Sequence, residues 1–345
     1  MTLLSGINNP DNILRYLSRQ YPNRLNITIS EPVPLGSGWE SEIIGFHAAW
    51  QEEGISGGLP IALRLYNGQG AVEKATHEYQ SLANLHKAGY PVPAVYALHV
   101  DPSTLGKPFI IMEMIDGKAM WGLLDQSSPE EASQLLDQLN DLLIKLHSLD
   151  WRRFQVDFDP ALENNPYWFI DRWLNMGGVA LAGSGLEDFK PVLRWLELRR
   201  SLLGCHRPAA VHGDFHPNNV LIKLDGSAVV IDWTNFQVAD PRYDLAWTLL
   251  LARVYAGENV RHMILDRYVQ SPGTHIDSLD IFEVIACTRR LYDIYNSLSN
   301  GADQMGMRPE ITRIMQEQLW AVRIVYDLLL SHTGVRIQAV EKLLS

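Results

Sequence analysis

The chain has 345 residues, and its 46% hydrophobic and 20% charged residues are the composition of an ordinary globular protein. A formal net charge of −11 argues against nucleic acid and anionic membranes as partners, because phosphate contacts need clustered lysine and arginine side chains. Two cysteines are too few for a disulfide framework or a four-cysteine metal site. The length exceeds that of a usual single core and predicts two lobes or domains.

The sequence contains no apparent membrane-spanning or secretory segment. Its longest apolar stretch, around residues 245–252, is far shorter than the roughly 20 residues that a membrane span requires. The first residues do not combine a basic region with a following apolar one, as a secretory leader would. We therefore expect a cytoplasmic protein without a membrane partner, whose oligomeric state the sequence leaves open.

The first hundred residues show the alternation and turn residues of strands with one helix. The predicted strands begin with LNITIS and continue through WESEIIGFHAAW and GLPIALRLY, separated by prolines and glycines. A helix is predicted over residues 71–89, where apolar residues recur at three- and four-residue spacing before Gly89 and Pro91. Two further predicted strands, PAVYALHV and PFIIMEM, follow this helix.

Beyond MIDGKAM the pattern becomes mainly helical. Helical periodicity recurs over residues 133–147, 168–176, 190–203, 245–255, 282–299 and 311–330. Together these patterns predict an α+β fold with two lobes. Residues 1–114 would form a small N-terminal β-sheet lobe with one helix, and residues 115–345 a larger, mainly helical C-terminal lobe.

One stretch of the second half, VHGDFHPNNVLIKLDGSAVVIDW (residues 211–233), concentrates polar residues around two apolar runs. The Asp-Gly pair between the runs is a hairpin signal that would pair Leu224 with Ser227. The same register sets Asn219 opposite Asp232, with side chains about 5 Å apart on one face of the hairpin. An amide oxygen and a carboxylate in that position suit a Mg²⁺ ion whose other ligands are phosphate oxygens.

Asp214 lies in the loop that enters the hairpin, where it is placed to act beside the metal. Two other interpretations remain open. His212, Asp214 and His216 could bind Zn²⁺, although a tetrahedral site needs three or four ligands and no second His/Cys cluster supplies more. A polar loop that only caps the hairpin would explain any one of these residues, but not Asp214, Asn219 and Asp232 together.

The same stretch resembles the aminoglycoside phosphotransferase and choline kinase family, relatives of the protein kinases. The family pattern H-x-D-x-x-x-x-N is present as HGDFHPNN, residues 212–219, and the following apolar-Asp pair as IDW, residues 231–233. The resemblance covers most of the chain, since the small lobe matches as well. It implies a protein kinase-like bilobal fold.

The resemblance also implies residue roles and cofactors. Asp214 would be the catalytic base, in a catalytic motif that begins at His212, and Asn219 and Asp232 would be Mg²⁺ ligands. ATP, or GTP, would donate its γ-phosphate to a hydroxyl group of a small molecule such as an aminoglycoside, a macrolide, choline or another metabolite. Asp244 matches a family aspartate that orders the catalytic loop; a carboxylate favoured by a helix N-terminus is the other interpretation.

The small lobe supplies the candidate nucleotide-binding residues Gly36, Ser37, Gly38, Arg64, Glu78, Glu113, Met114 and Ile115. Gly36 and Gly38 lie between two strands, where they either let backbone N–H groups approach phosphates or form a simple turn. Arg64 occupies the place of the protein kinase lysine, and we predict an ion pair between Arg64 and Glu78. The backbone of residues 112–115, the hinge, would bind the nucleotide base.

The acceptor would lie against the helical lobe, where residues 164–173 and 289–297 carry aromatic side chains that either line a pocket or belong to the core. The acidic composition permits a cationic acceptor without demonstrating one. Two functions remain open. Intact Asp214, Asn219 and Asp232 favour an active small-molecule kinase, and the alternative is a non-catalytic, nucleotide-binding pseudokinase that acts as a regulatory or interaction module.

Overall fold

The computed structural model describes residues 10–37, 41–68, 70–154, 165–182, 187–301 and 310–345. The chain divides into two compact units. The first comprises the described parts of Met1–Lys118 together with Leu221–Thr234. The second comprises the described parts of Ala119–Val220, Asn235–Ala302 and Pro309–Ser345. The first unit therefore extends past the expected boundary after residue 114 and includes most of the hairpin that this boundary assigns to the second lobe.

An antiparallel sheet forms the body of the first unit. Helix α1 (Pro10–Gln20) precedes it, and helix α2 (Ala71–Lys87) joins β4 to β5, as predicted for residues 71–89. The strands are β1 (Leu25–Ile29), β2 (Val33–Ser37), β3 (Ser41–Glu52), β4 (Ile55–Tyr66), β5 (Val95–His99) and β6 (Phe109–Glu113). They follow the order β1-β3-β4-β6-β5, with β2 also paired to β3. Strand β2 was not predicted, because Pro34 and Gly36 within it are typical of turns.

Helix α1 packs its apolar side against one face of this sheet. Ile13, Tyr16 and Leu17 recur at the spacing of one helical face and join a buried cluster with strand residues such as Phe109. The expectation of a single helix in this part of the chain is therefore wrong. The signal for a second helix was present, since these apolar residues follow a proline at the first helical position, where proline is favoured.

Strand β4 presents different side chains to the two faces of the sheet. Ile61, Leu63 and Leu65 lie in the buried cluster beneath α1, whereas Ala62 and Arg64 line a cavity on the other face. The predicted alternation of this strand is confirmed. A two-residue period thus sets a charged side chain against the cavity while its neighbours fill the core.

The remaining strands are short. They are β7 (Gly117–Ala119), β8 (Ala209–Val211), β9 (Val220–Lys223), β10 (Ala228–Val230) and β11 (Gln237–Ala239). A three-stranded sheet has the order β10-β9-β7, and β8 pairs with β11 in a two-stranded ladder. The predicted hairpin is therefore present as β9 and β10.

The turn of this hairpin is one residue longer than its Asp-Gly signal predicts. Lys223 donates its N–H to the Ser227 carbonyl over 2.8 Å, and Gly226 donates to the Lys223 carbonyl over 2.9 Å. Gly226 has a φ of 81°, the left-handed position that ends a three-residue turn and favours glycine. The predicted pairing of Leu224 with Ser227 is therefore wrong, and the strand register does not extend to the two predicted metal ligands.

The second unit is mainly helical, which confirms the predicted α+β class. Its helices are α3 (Met120–Leu124), α4 (Pro129–Ser148), α5 (Trp168–Ala182), α6 (Lys190–Glu197), α7 (Pro241–Ala256), α8 (Glu258–Val269), α9 (Leu279–Asn300), α10 (Glu310–Glu317), α11 (Leu319–Thr333) and α12 (Gln338–Leu343). Each predicted helical segment falls on one or two of them, and α3, α8 and α12 are additional. Within the described ranges, no helix combines the length and apolarity needed to cross a bilayer.

Helix α7 runs through the interior of the second unit. Every side chain from Arg242 to Ala252 along it is buried. The helix begins where the Asp240 side chain accepts the N–H of Arg242, followed by a proline at the first helical position. A helix fixed by packing on all sides is a rigid support for the polar side chains that it directs at neighbouring loops.

Glu283 of α9 anchors a buried ion network with Arg261 of α8 and His332 of α11. Arg261 donates to it through Nη2 at 2.6 Å, and the His332 Nε2 lies 3.5 Å away. Burial would raise the pKa of Glu283, but the hydrogen bonds from His332 and Arg261 outweigh it and hold the pKa below its ordinary value. The network therefore stabilises the fold fully above the pKa of the unfolded chain, and this contribution is lost as the pH falls through the folded-state pKa.

Replacing Glu283 with Gln is expected to lower the free energy of unfolding in neutral buffer by about 2 kcal/mol, because charge-assisted hydrogen bonds are lost in a buried site. Urea unfolding of wild type and variant in neutral and in acidic buffer measures the effect. The difference between them should shrink in acid, where the wild-type carboxyl is protonated. Glu317→Gln, which alters an exposed ion pair on α10, is the control and should change little. A difference that stayed constant with pH would contradict this account.

Candidate active site

The first unit contains a cavity of about 650 Å³ on the face of the sheet opposite α1. Its apolar walls come from the strands, from α2 and from the hairpin, and include Leu35, Ile43, Ala62, Leu82, Met112, Met114, Leu221 and Ile231. Its charged lining includes Arg64, Glu78 and Asp232. Apolar walls with a few convergent polar groups are typical of a small-molecule or cofactor site.

Arg64 bridges two carboxylates at the edge of this cavity. Its Nη1 donates to Glu78 Oε1 over 2.9 Å, so the predicted ion pair is confirmed. Its Nη2 donates to Asp232 Oδ1 over 2.8 Å, a contact that the sequence did not predict. Burial alone would lower the pKa of Arg64, but Asp232 and Glu78 outweigh it and raise the pKa, so the guanidinium stays charged. The Arg64 Nε is buried and has no hydrogen-bond partner among the described residues.

Glu78 is held by further donors. The Tyr66 hydroxyl donates to its Oε2 over 2.5 Å, and the backbone N–H of Trp233 donates to its Oε1 over 3.1 Å. Glu78 therefore fixes strand β4 and the segment after the hairpin to helix α2. A fully buried carboxylate with this many donors is costly to remove, because its partners lose their hydrogen bonds while they remain buried.

Replacing Glu78 with Gln is expected to reduce the free energy of unfolding by about 3 kcal/mol, since the change uncouples a buried ion pair. It should also weaken nucleotide binding, because Arg64 and Asp232 lose the group that orients them. Urea unfolding and nucleotide titration measure the two effects. Glu73→Gln, an exposed glutamate on the same helix, is the matched control. Stability and nucleotide binding unchanged in Glu78→Gln would contradict the anchoring role.

Asp232 has an unusual backbone conformation for its residue type. Its φ is 67°, in the left-handed region that residues other than glycine seldom adopt. The Thr234 hydroxyl donates to Asp232 Oδ1 over 3.0 Å, alongside Arg64. Strain of this kind persists where surrounding contacts impose it, and it is common at functional sites. These contacts hold the Asp232 carboxylate at the cavity wall.

The other predicted nucleotide-binding residues differ in what the structure shows of them. Glu113, Met114 and Ile115 all line the cavity. The Met114 N–H already donates to the Pro60 carbonyl over 3.2 Å, so this donor is not free for a base. Gly36 and Ser37, the end of β2, pair with β3, and Gly38 lies outside the described residues.

The motif loop, defined as residues 212–219, lies in the second unit between β8 and β9. Asp244 of α7 accepts the N–H groups of His212 and Gly213 over 2.8 and 3.0 Å, and it is completely buried. Of the two interpretations of Asp244, the structure supports the ordering of this loop. Gly213 has a φ of 77°, and a Cβ there would lie 2.6 Å from the Asn235 carbonyl oxygen, so glycine is required.

Asp214 is the exposed acid of the motif loop, with 29% of its side chain accessible. The Trp247 indole donates to its Oδ1 over 2.7 Å, and the His216 Nε2 lies 3.6 Å from the same oxygen. Burial would raise the pKa of the Asp214 carboxyl, but the neighbouring His216 and Arg289 outweigh it and hold the pKa well below its usual range. Asp214 is therefore ionised and fixed in direction.

His212 is completely buried, and its Nδ1 accepts the backbone N–H of Asp214 over 3.2 Å. This placement differs from the expectation of a catalytic histidine, because a buried ring cannot reach a substrate; it supports Asp214 from behind. Asn219 donates its Nδ2 to the Asp214 carbonyl over 2.9 Å. Its amide oxygen therefore faces away from that carbonyl.

These features occur in a known family. The profile of the phosphotransferase enzyme family matches residues 35–282, more than half of the chain. The chain belongs to the phosphotransferase enzyme family. The family resemblance of the sequence is confirmed, and the match includes both the Arg64 ion network and the motif loop.

The relatives of this family member are distant. It is 29% identical over 188 residues to mouse acyl-CoA dehydrogenase family member 10, a match that covers 52% of this chain but only 17% of that protein. A putative aminoglycoside phosphotransferase from Ralstonia eutropha is 17% identical, with a TM-score of 0.63 over 96% of this chain and 98% of the other. The GDP complex of aminoglycoside 2'-phosphotransferase-IIIa is 16% identical, with a TM-score of 0.58 over 94% and 99%. The fold is therefore kinase-like, as expected.

The zinc interpretation of the motif loop finds no support. Among the described residues of this phosphotransferase family member, no group of three or more His, Cys, Asp or Glu side chains is arranged to hold a metal ion. His212 is buried with its Nδ1 already occupied by a hydrogen bond. A tetrahedral zinc site would need that nitrogen or a further ligand.

The second unit of this family member contains its own pocket, of about 270 Å³. Both aromatic segments named from the sequence contribute to it: Phe169, Arg172 and Trp173 from the first, and Arg289, Tyr292 and Asp293 from the second. Other lining residues include Met176, Phe189, Leu193, Gln237, Tyr243 and Thr288. Of the two interpretations of these segments, pocket lining is the one that the structure supports.

Proposed function

We propose that this chain transfers the γ-phosphate of ATP or GTP to a hydroxyl group of a small molecule. The observation that carries the proposal is the ionised Asp214 carboxylate, held by Trp247 and ordered through Asp244 in a motif typical of phosphotransferases. A family of phosphotransferases and a kinase-like fold support the same reaction class.

The cavity of the first unit is the proposed nucleotide site. Its apolar walls would receive the base, and its residues 113–115 offer backbone groups beside it. The buried, unpartnered Arg64 Nε is a donor that a phosphate oxygen would satisfy. A related structure holds GDP, which supports a nucleotide ligand. The backbone of Gly36 and Ser37 at the end of β2 is the described part of the loop proposed to approach the phosphates.

The donor atoms present suit Mg²⁺. Asp232 contributes a carboxylate at the cavity wall, and Asn219 has an amide oxygen turned away from its own hydrogen bond. Hard oxygen donors in small number, completed by phosphates and water, are the ligands that Mg²⁺ prefers. We therefore propose Asp232 and Asn219 as the metal ligands. The bound ion would neutralise charge on the phosphates during transfer.

Asp214 would orient the acceptor hydroxyl and accept its proton. Its lowered pKa makes it a weak base, which suits phosphoryl transfer because the attacking oxygen keeps its proton until late in a loose transition state. The indole of Trp247 fixes one carboxylate oxygen, and His212 fixes the backbone of the loop. The chain thus contributes mainly positioning and charge.

Phosphorus NMR of wild-type protein with MgATP and a panel of hydroxyl compounds tests the proposal. The panel should include aminoglycosides, choline, neutral polyols and hydroxy acids. A new phosphomonoester resonance should appear together with an equal amount of ADP for at least one compound. Tight MgATP binding without a phosphomonoester from any panel member would instead favour a nucleotide-binding protein without kinase activity.

A further inference from the structure

The pocket of the second unit has an aromatic interior. Phe169, Trp173, Phe189, Tyr243 and Tyr292 line it. The Phe169 and Tyr243 rings lie 5.4 Å apart between centroids, and the Phe189 and Tyr292 rings 5.9 Å apart. Aromatic side chains bury large apolar areas, so this interior suits a ligand with an aryl or alkyl body and disfavours a strongly hydrated polyol.

The pocket adjoins the motif loop through Arg289. Its Nη1 donates to the Gly213 carbonyl over 2.5 Å, and its guanidinium lies 4.2 Å from the ring centroid of Trp247. Trp247 in turn donates to Asp214. Arg289 is therefore both a wall of the pocket and a direct support of the loop that carries Asp214. A ligand in this pocket would lie beside the carboxylate proposed to activate a hydroxyl group.

The charges of the pocket differ in sign from those of the whole chain. Asp293 is the acid of the lining, and its Oδ2 lies 3.8 Å from the Arg289 Nε, so these two charges offset one another. Arg172 is exposed on α5 and has no ion-pair or hydrogen-bond partner among the described residues. The charge that remains for a ligand is thus positive, although the chain as a whole carries −11.

From these observations, and on the basis of the proposed function, we infer that the acceptor is a hydroxyl compound with an apolar body and an anionic group such as a carboxylate. The aromatic walls bind the body, and Arg172 binds the anion as a bidentate partner. A cationic acceptor would meet two arginines and one carboxylate that is already paired. The overall acidity of the chain is therefore a poor guide to this pocket.

Calorimetry with three probes of matched shape tests the inference, in the presence of saturating MgADP so that no turnover occurs. The probes are phenyllactate, an anion; phenylalaninol, a cation; and the neutral phenyl-substituted propanediol. An alkyl hydroxy carboxylate of similar size accompanies phenyllactate. At least one of the two hydroxy acids should bind more tightly than the cationic and neutral probes. Failure of both hydroxy acids to bind, or tighter binding of phenylalaninol, overturns the inference.

Charge reversal at Arg172 gives a second readout. Arg172→Glu should weaken hydroxy acid binding by about tenfold or more, the effect of one charge-assisted contact, and should improve phenylalaninol binding. Arg313→Gln, an exposed arginine on α10, is the control and should leave both affinities unchanged. Equal hydroxy acid binding by wild type and Arg172→Glu would overturn the role of Arg172.

The same panel in phosphorus NMR with MgATP separates two kinds of failure. Phosphorylation of an amino alcohol but of neither hydroxy acid would overturn the inferred acceptor class and leave the kinase function standing. The absence of MgATP binding would overturn the proposed function itself. The inference and the kinase function stand together only if a hydroxy acid is the preferred phosphoryl acceptor.

Discussion

Asp214→Asn is expected to lower turnover by about 10²- to 10⁴-fold, the usual contribution of a positioned acid or base, while leaving MgATP affinity close to that of wild type. The amide keeps the shape of the side chain and can still accept the Trp247 hydrogen bond. It loses the negative charge that orients the acceptor hydroxyl and takes its proton. Steady-state kinetics and nucleotide calorimetry on the same protein sample measure the two effects.

Asp327→Asn is the matched control, because Asp327 is an exposed aspartate on α11 of the same unit. It should change neither turnover nor nucleotide affinity. Near-normal turnover in Asp214→Asn would show that this carboxylate does not act on the acceptor. A large loss of MgATP affinity in Asp214→Asn would instead assign Asp214 to the nucleotide or its metal.

Asp232→Asn is expected to fail in a different way. Losing a carboxylate ligand should weaken binding of MgATP by about tenfold or more, because a hard divalent cation prefers a charged oxygen donor. Turnover should fall as well. The change also removes the charge that pairs with Arg64, so ATP binding must be measured with and without Mg²⁺. A metal ligand predicts that the enhancement of ATP binding by Mg²⁺ is lost, whereas an anchor of Arg64 alone predicts weaker binding under both conditions.

Asp225→Asn tests whether the effect is specific to the position of Asp232 within the hairpin. Asp225 lies in the exposed turn, where its Oδ1 accepts the N–H of Ser227, a role that asparagine can also fill. Nucleotide binding should be unchanged in this variant. Enhancement by Mg²⁺ that is as strong in Asp232→Asn as in wild type would contradict the assignment of Asp232 as a ligand.

Local patterns in the sequence predicted much of the fold. The two-residue period of β4 placed Arg64 on one face of the sheet, and the helical period of α2 placed Glu78 toward it, so their ion pair could be predicted. The clustering of polar residues around the hairpin identified the motif loop. These are properties of short segments, in which spacing alone decides which side chains share a face.

Contacts between distant segments could not be predicted in this way. The pairing of Arg64 with Asp232 and the hydrogen bond from Trp247 to Asp214 depend on how separate elements pack, which no periodicity records. The hairpin turn shows the same limit at short range, because Asp-Gly occurs in turns of different length and one added residue changes the register.

The acceptor pocket depends on both kinds of information. The sequence identified residues 164–173 and 289–297 as aromatic helical segments, but their period fits a core as well as a pocket. Only the packing of α5 against α6 and the position of α9 show that they line one cavity. The charge of that cavity, set by Arg172 beside a paired Arg289 and Asp293, could not be read from the composition of the whole chain.

Transfer of label from ATP carrying a marked γ-phosphate tests the central claim most directly. Wild-type protein, Mg²⁺ and labelled ATP are incubated with a small-molecule extract of cells, and the labelled products are separated from protein and from inorganic phosphate. The account predicts that the label enters a small-molecule phosphomonoester with wild type and that Asp214→Asn nearly abolishes this transfer. Label found only in inorganic phosphate or on protein, or transfer that Asp214→Asn leaves unchanged, would contradict it.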